Sequence, residues 1–264
     1  MARVLFRKLV DSFERHWNEG EIVGQYQITG LIGKGSYGTE YIVKQLDTGE
    51  EAILKRLRPF KKLFSKHQDH FLHETTVLHQ LECPHFPTVI ETGMHKRTPY
   101  FIMEKMEGKT FEDLIFREGK TFSEAETLEI GLHVLNLMSV IHDKGYVHRD
   151  LRIPNILWDG GKLTIIDFGL ACMVDSGPFP EPVTHRDYMR EKSPRSDLYA
   201  LGHFLLFLLY SSYEQEDRVE KSWQEELNIS EGAQKLIRKL LREDRPFQTA
   251  NEARDALLNM RRKY

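Results

Sequence analysis

Cysteine is scarce: Cys83 and Cys172 are the only two in 264 residues, and neither belongs to a CxxC pair. A disulfide-stapled fold is excluded, and a reducing, cytoplasmic setting is expected. No long apolar run exists either. The most apolar stretch, "YALGHFLLFLLY" at 199–210, falls short of the about 20 residues that cross a bilayer, so it reads as a buried helix. The N-terminal "MARVLFRKLV" is broken by charge and lacks the apolar stretch of a secretory signal. Charge of one sign is not in excess. The formal net charge is −3, so no basic field advertises nucleic-acid binding, and none is expected. Internal repeats and low-complexity segments are absent.

What is present is ordinary for a globular chain: 40% hydrophobic and 29% charged residues, with length for one large domain or two lobes. In residues 1–19, Leu5, Leu9, Phe13 and Trp17 recur at steps of four, beside Phe6 and Val10. This predicts an amphipathic helix that packs on the main fold or offers a face to a partner or a membrane surface. From Tyr26 the chain turns to β-branched and aromatic residues, with turn signals at Gly33–Gly38 and at Asp47-Thr48-Gly49. Three antiparallel strands are expected, then a helix at about 66–81 with Leu72, Val77, Leu78 and Leu81 as its apolar side, then two strands at "TVIETG" and "PYFIMEKM". After Gly108 helices dominate. Ser123 and Glu126 have capping-box spacing before an apolar run. Two short strands, "ILWD" and "LTIID", flank Gly160-Gly161, and helices follow at 195–210, near 230–242 and at 249–261. The expected division is 1–25, 26–106 and 107–264: a helical extension, a small sheet region and a helical region.

Four stretches carry chemistry. "GKGSYG" at 33–38 lies between two strands, which suits a flap whose backbone amides approach phosphate oxygens; an ordinary hairpin turn is the other reading. "AILK" ends a strand on Lys55, with Glu74 on the next helix as the anion to hold it; alone, Lys55 reads as a solvated lysine. "HRDLRIPN" at 148–155 is a rigid polar loop without helical or strand period. "IIDFG" sets Asp167 directly after an apolar strand. Asn155 and Asp167 would give oxygen ligands suited to Mg2+, leaving Asp150 to orient a hydroxyl and accept its proton. Arg152 can neutralise a migrating phosphoryl group.

In this order the motifs resemble the eukaryotic-like (Hanks-type) serine/threonine protein kinase superfamily, over about residues 26–255. The resemblance implies an α+β, bilobal fold: a small antiparallel N-lobe sheet with one main helix, and a larger, mainly helical C-lobe. It implies ATP and Mg2+, with Mn2+ possible. Asp150 would be the base, Asn155 and Asp167 the metal ligands, and Lys55, paired with Glu74, the grip on the phosphates. Gly33, Gly35, Ser36, Tyr37 and Gly38 would cover the nucleotide. Met103 falls at the gatekeeper position, Glu104 and Met106 on the hinge, and Ile32 and Leu157 on either side of adenine. Asp197 would brace the catalytic loop, and Arg245 would pair with Glu191 at the end of the activation segment.

Departures are equally specific. Glu40 stands where the family usually has valine, and Ile53 where it has alanine; together they would narrow the purine pocket unless a strand bulge shifts the register. Arg152 replaces the lysine usual in the Ser/Thr branch. Thr184 is the candidate for the threonine that contacts the catalytic aspartate. Ser176, Thr184 and Ser193 are candidate phosphorylation sites, with Arg149 as the receiving charge. The APE motif is missing, and the segments that build a peptide-docking face are short. The expected function is therefore Ser/Thr phosphotransfer with autophosphorylation. The alternatives are a pseudokinase scaffold and a small-molecule or lipid-headgroup kinase. His67, His70 and His73 form a metal-compatible spacing or a solvated helix face. The basic stretch Lys55–Lys66 is a solvated loop or a contact for acidic partners or lipid headgroups.

Overall fold

The computed structural model describes residues 17–35, 38–58, 65–175, 177, 181–214 and 221–261, with the backbone alone for 65–70 and 261. The chain divides into two compact units, 1–106 and 107–264.

Unit 1 is an antiparallel sheet in the order β1-β2-β3-β4-β6-β5. Its strands are β1 (Ile22–Val23), β2 (Tyr26–Lys34), β3 (Gly38–Gln45), β4 (Glu51–Leu57), β5 (Val89–His95) and β6 (Thr98–Glu104), with helix α1 (Ser65–Leu81) between β4 and β5. Side chains alternate across a strand, so Ala52 and Leu54 join Ile28, Tyr41, Val43, Tyr100 and Ile102 in one buried cluster. Trp17 belongs to this cluster and is not helical. The helix predicted over 1–19 therefore does not hold at Trp17, and the rest of that prediction falls on residues outside those described. Trp17 packs against Arg56, whose guanidinium carbon lies 5.0 Å from the indole centroid. The phenol oxygen of Tyr41 accepts from Arg56 Nε at 3.1 Å and from the Trp17 N–H at 3.3 Å.

Two expectations change here. Arg56 and Arg58 are buried, so neither belongs to a solvated basic loop or an exposed contact face. On α1, Phe71 faces the core and Leu72 is exposed, because the buried side runs through Phe71, Glu74, Thr75, Leu78 and Leu81 at helical spacing.

Unit 2 begins with β7 (Lys109–Thr110) and α2 (Phe111–Phe116), which were not anticipated, followed by α3 (Glu124–Asp143). Ser123 caps α3 reciprocally: its hydroxyl accepts from the Glu126 N–H, and the Glu126 carboxylate accepts from the Ser123 N–H. Gly145, φ +78, turns the chain out of the helix. Next come β8 (Tyr146–Val147), a 3-10 turn at Ile153–Asn155, β9 (Ile156–Trp158), β10 (Leu163–Ile165) and β11 (Cys172–Met173). Strands β10, β9 and β7 form one small sheet, and β11 and β8 another. Helices α4 (His185–Arg190), α5 (Pro194–Tyr210), α6 (Trp223–Glu226), α7 (Glu231–Leu240) and α8 (Ala250–Arg261) complete the unit. The apolar run lies in α5, where Leu201, Leu205 and Leu208 are fully buried, each contributing about 1.5–3 kcal/mol. Among the described residues no helix is long and apolar enough to cross a membrane.

Candidate active site

In unit 1 the site is built on β4. Lys55 lies opposite Glu40 on β3 and Phe101 on β6. Its ammonium donates to Glu74 Oε1 at 3.0 Å, stands 2.9 Å from Glu74 Oε2, and stands 3.1 Å from Glu40 Oε1. Lys55 and Glu74 are buried, so the pair reads as a held cation and not as a solvated lysine. A buried charge is tolerated only with such partners.

Gly38 lies against the lysine stem. A Cβ there would meet Lys55 Cγ at 3.0 Å and the Arg56 carbonyl oxygen at 3.3 Å, so the close approach depends on glycine. The Gly35 N–H donates to the Gly38 carbonyl at 2.9 Å, closing the loop; Ser36 and Tyr37 lie outside the described residues. Gly33 pairs with Glu40, just past a register shift at Leu31/Gly33.

That shift does not remove the conflict at Glu40 and Ile53. It lies between β2 and β3, whereas β3 and β4 stay in step from Gly38/Leu57 to Lys44/Glu51. Glu40 therefore stands directly across from Lys55, and Ile53, two residues before it, shares its face. Of the remaining candidates in this unit, Ile32 and Glu104 are exposed, while Met103 and Met106 are buried. The Glu104 N–H already donates to the Thr88 carbonyl at 2.8 Å.

In unit 2 the loop 148–155 hangs on Asp197, a wholly buried carboxylate near the start of α5. Asp197 accepts from the backbone N–H of His148 at 2.8 Å and of Arg149 at 2.7 Å, and from His142 Nε2 at 3.0 Å. Burial pushes its pKa up, but the hydrogen bond and charge of His142, with His148 and the Arg149 N–H, outweigh it and hold the group below the usual aspartate range. Arg149 takes a left-handed φ of +66, a strain of about 1–3 kcal/mol that persists because these bonds over-determine it. His148 Nδ1 accepts from the Asp150 N–H at 3.2 Å, so Nε2 carries the proton and donates to the Ile166 carbonyl at 3.2 Å. Burial lowers the His148 pKa against the pull of Asp197, Asp150 and Asp167, which keeps the ring neutral.

Asp150 is buried among three donors. Asn155 Nδ2 donates at 2.9 Å to both its backbone carbonyl and Oδ2. Arg152 Nε stands 3.4 Å and Arg190 Nη2 3.3 Å from Oδ1. Because both acceptors of Asn155 lie on its amide-nitrogen side, its carbonyl oxygen is turned the other way. The Asn155 backbone carbonyl accepts from the Ile166 N–H at 2.9 Å, which stitches the loop to the residue before Asp167. Asp167 itself has a left-handed φ of +60, and its carboxylate accepts from the Gly169 N–H at 3.4 Å. Phe168 is fully buried and sits edge-on to His148, centroids 4.7 Å apart. Leu157 is buried on β9.

Asn155 and Asp167 offer hard oxygen donors of the kind Mg2+ takes, an ion that is commonly held by one or two carboxylates and completed by phosphate and water. Among the described residues no group of three or more His, Cys, Asp and Glu side chains could hold a metal by itself. Of the three histidines considered, His67 and His70 have side chains outside the described residues.

Two assignments in the segment after Asp167 are corrected. Thr184 does not reach Asp150. It caps α4, its hydroxyl accepting from the Asp187 N–H at 3.2 Å while the Asp187 carboxylate accepts from the Thr184 N–H at 2.9 Å. The residue of this segment that reaches Asp150 is Arg190, at the last turn of α4, which sequence reasoning missed. The Thr-x-x-Asp capping spacing was the available signal, since it starts a helix that ends on Arg190.

Likewise Glu191 pairs with Arg242, Oε2 to Nη2 2.6 Å, not with Arg245, which is exposed. Arg242 sits just beyond α7 with φ +63 and stacks 4.9 Å from the Tyr188 centroid. Burial would raise the Glu191 pKa, but Arg242, with Ser193 and Arg195, holds it below the usual glutamate range.

The Arg149 guanidinium donates to the Arg190 carbonyl at 2.7 and 3.0 Å and to the Leu170 carbonyl at 3.3 Å. The Ser193 hydroxyl donates to Glu191 at 2.9 Å, and Ser176 lies outside the described residues.

Residues 26–253 match the family model described as "Protein kinase domain". The probable serine/threonine-protein kinase YbdM of Bacillus subtilis is 31% identical over 258 residues, covering 97% of each chain. Cyclin-dependent kinase F-3 of Oryza sativa is 30% identical over 69% of this chain, which spans 43% of that relative; for the human NUAK family SNF1-like kinase 1 the figures are 28%, 75% and 32%. Among solved structures, the Mycobacterium tuberculosis PknI kinase domain matches with a TM-score of 0.66 at 19% identity, over 92% of this chain and 99% of that one. With its family model and ordered motifs in agreement, the chain belongs to the Hanks-type serine/threonine protein kinase family.

Proposed function

We propose that the chain transfers the γ-phosphoryl group of ATP to serine and threonine hydroxyls of protein, with Asp150 as the base, and that it autophosphorylates. The observation that carries this reading is the setting of Asp150. Its carboxylate is fixed by Asn155 and lies beside Arg152, so one oxygen can receive a hydroxyl proton while a guanidinium stands where phosphoryl charge develops. Lys55, oriented by Glu74, binds the phosphates. Asn155 and Asp167 would hold Mg2+, with Mn2+ as a substitute, and bound there it would supply charge neutralisation for the phosphates. Little covalent work falls to the protein, so positioning and charge supply most of the rate. Two free thiols, Cys83 and Cys172, support a reducing, cytoplasmic setting.

The test incubates the full chain with ATP and Mg2+ and maps phosphate by mass spectrometry. Modified Ser or Thr residues are expected, reduced at least about a hundredfold in Asp150→Asn, within the usual worth of a general base. Equal labelling of wild type and variant would contradict the assignment. So would ATP turnover that appears only when a metabolite or lipid headgroup is added.

A further inference from the structure

We propose that Glu40 is a built-in competitor for Lys55 and sets the affinity of the site for nucleotide phosphates. The inference rests on the kinase reading, in which Lys55 meets those phosphates. Three observations converge on it.

First, the contact is dictated by register. Glu40 and Lys55 are directly paired on adjacent antiparallel strands, where opposing side chains stand close enough to interact. Glu40 Oε1 lies 3.1 Å from the ammonium. The pairing on either side of it is regular, so the strands have no slack to turn Glu40 away.

Second, the ammonium is shared. Both Glu40 and Glu74 stand against it, where two or more phosphate oxygens must arrive. An incoming anion therefore has to displace one carboxylate from Lys55 or be repelled by it.

Third, the two carboxylates are not equivalent. The Glu74 side chain is 3% exposed and comes from α1; the Glu40 side chain is 29% exposed. Glu40 also lies two residues from Gly38 and pairs with Gly33, so it stands at the base of the glycine loop. The buried Glu74 orients the lysine. The outer Glu40, fixed in its backbone but partly exposed in its side chain, is the one that yields to the nucleotide by rotating its carboxylate toward solvent.

Glu40 thus acts as a negatively charged stand-in for a phosphate oxygen. Neutralising it frees one valence of Lys55, and the gain is confined to ligands that carry phosphate. A partly exposed charge pair gives way here, so the expected change is up to about fivefold.

Dissociation constants for ATP with Mg2+, ADP and adenosine are measured by calorimetry on the full chain, as wild type, Glu40→Gln, Glu40→Val and Glu74→Gln, with melting temperatures to show that each variant folds. Glu40→Gln is expected to bind ATP and ADP up to about fivefold tighter and adenosine unchanged. Glu40→Val is expected to shift the same way, whereas Glu74→Gln weakens ATP because the lysine loses its orienting partner. If wild type binds ATP and Glu40→Gln binds it no more tightly, the competitor role is wrong while the kinase reading stands. Adenosine tightened as much as ATP also overturns it, since the gain would then come from space and not from charge. If no variant binds ATP, the proposal falls together with the reading beneath it.

Discussion

The two units hold their key groups in opposite electrostatic settings. In unit 1 the cation of Lys55 contacts the carboxylates of Glu40 and Glu74. In unit 2 the carboxylate of Asp150 lies beside the guanidiniums of Arg152 and Arg190. Glu74 is the partner expected for Lys55, and Arg152 stands beside Asp150 where the Ser/Thr branch usually has lysine; Glu40 is a departure already visible in the sequence, and Arg190 was not anticipated. The supports differ as well. Lys55 is placed by strand register, a local geometry, whereas the Asp150 loop is hung on Asp197 from α5, 47 residues further along the chain by the difference of their numbers. A site held by register tolerates loss of a side chain without loss of position. A site hung on one buried carboxylate does not.

The sharpest way to break this contrast is Asp197→Ala. It leaves the buried N–H groups of His148 and Arg149 without their acceptor, so a loss of about 3–5 kcal/mol is expected, with phosphotransfer falling alongside it. Denaturant unfolding and activity at 15 °C and 30 °C would separate instability from misplacement, temperatures chosen as roughly the range near maximum stability. Glu74→Gln in unit 1 should lose function with a smaller loss of stability, because Glu40 still pairs with the Lys55 ammonium, and equal losses in both variants would erase the distinction.

A smaller effect concerns acid stability, which resides mainly in unit 2. His148 is buried and His203 half-buried, and burial lowers both pKa values, that of His203 to about 4. The folded state refuses protons that the unfolded chain accepts, so stability should begin to fall below the ordinary histidine value of 6.5. Glu191 and Asp197 are carboxylates held below their ordinary values; their contribution is complete above about 4.5 and is lost as pH falls through the depressed values. Melting temperature should therefore decline gently from pH 6.5 and steeply below about 4.5. Arg242→Met should lower stability at pH 7 by about 3 kcal/mol and flatten the acid limb, because Glu191 then has less depression to lose. An unchanged acid limb would show that the Arg242 pair is not what holds Glu191 down.

Strands β2 to β6 of unit 1, the capped helix α3 and the buried helix α5 were legible from period and spacing, and the motifs from their order, because those signals are local, whereas the two-residue β1 carried no such signal. What escaped depended on where a side chain reaches. Arg245 has the family spacing, but Arg242 turns back from a left-handed residue at the end of α7 and buries its fork on Glu191. Thr184 looked like a partner for Asp150, yet its hydroxyl satisfies the first turn of α4, and the length of that helix delivers Arg190 instead. Leu72 and Phe71 are equally apolar; only the packing of α1 decides which faces inward. Glu40 was visible as an anomaly, but its meaning required the register that sets it against Lys55.

The central claim is that Lys55 of unit 1 and Asp150 of unit 2 serve one reaction. A double-mutant cycle tests it most directly: rates of γ-phosphoryl transfer from ATP for wild type, Lys55→Met, Asp150→Asn and the double variant. Groups acting as one unit are strongly non-additive. The account predicts that the double variant is no slower than the slower single variant. Losses that multiply, or a wild type that transfers no phosphate, would contradict it.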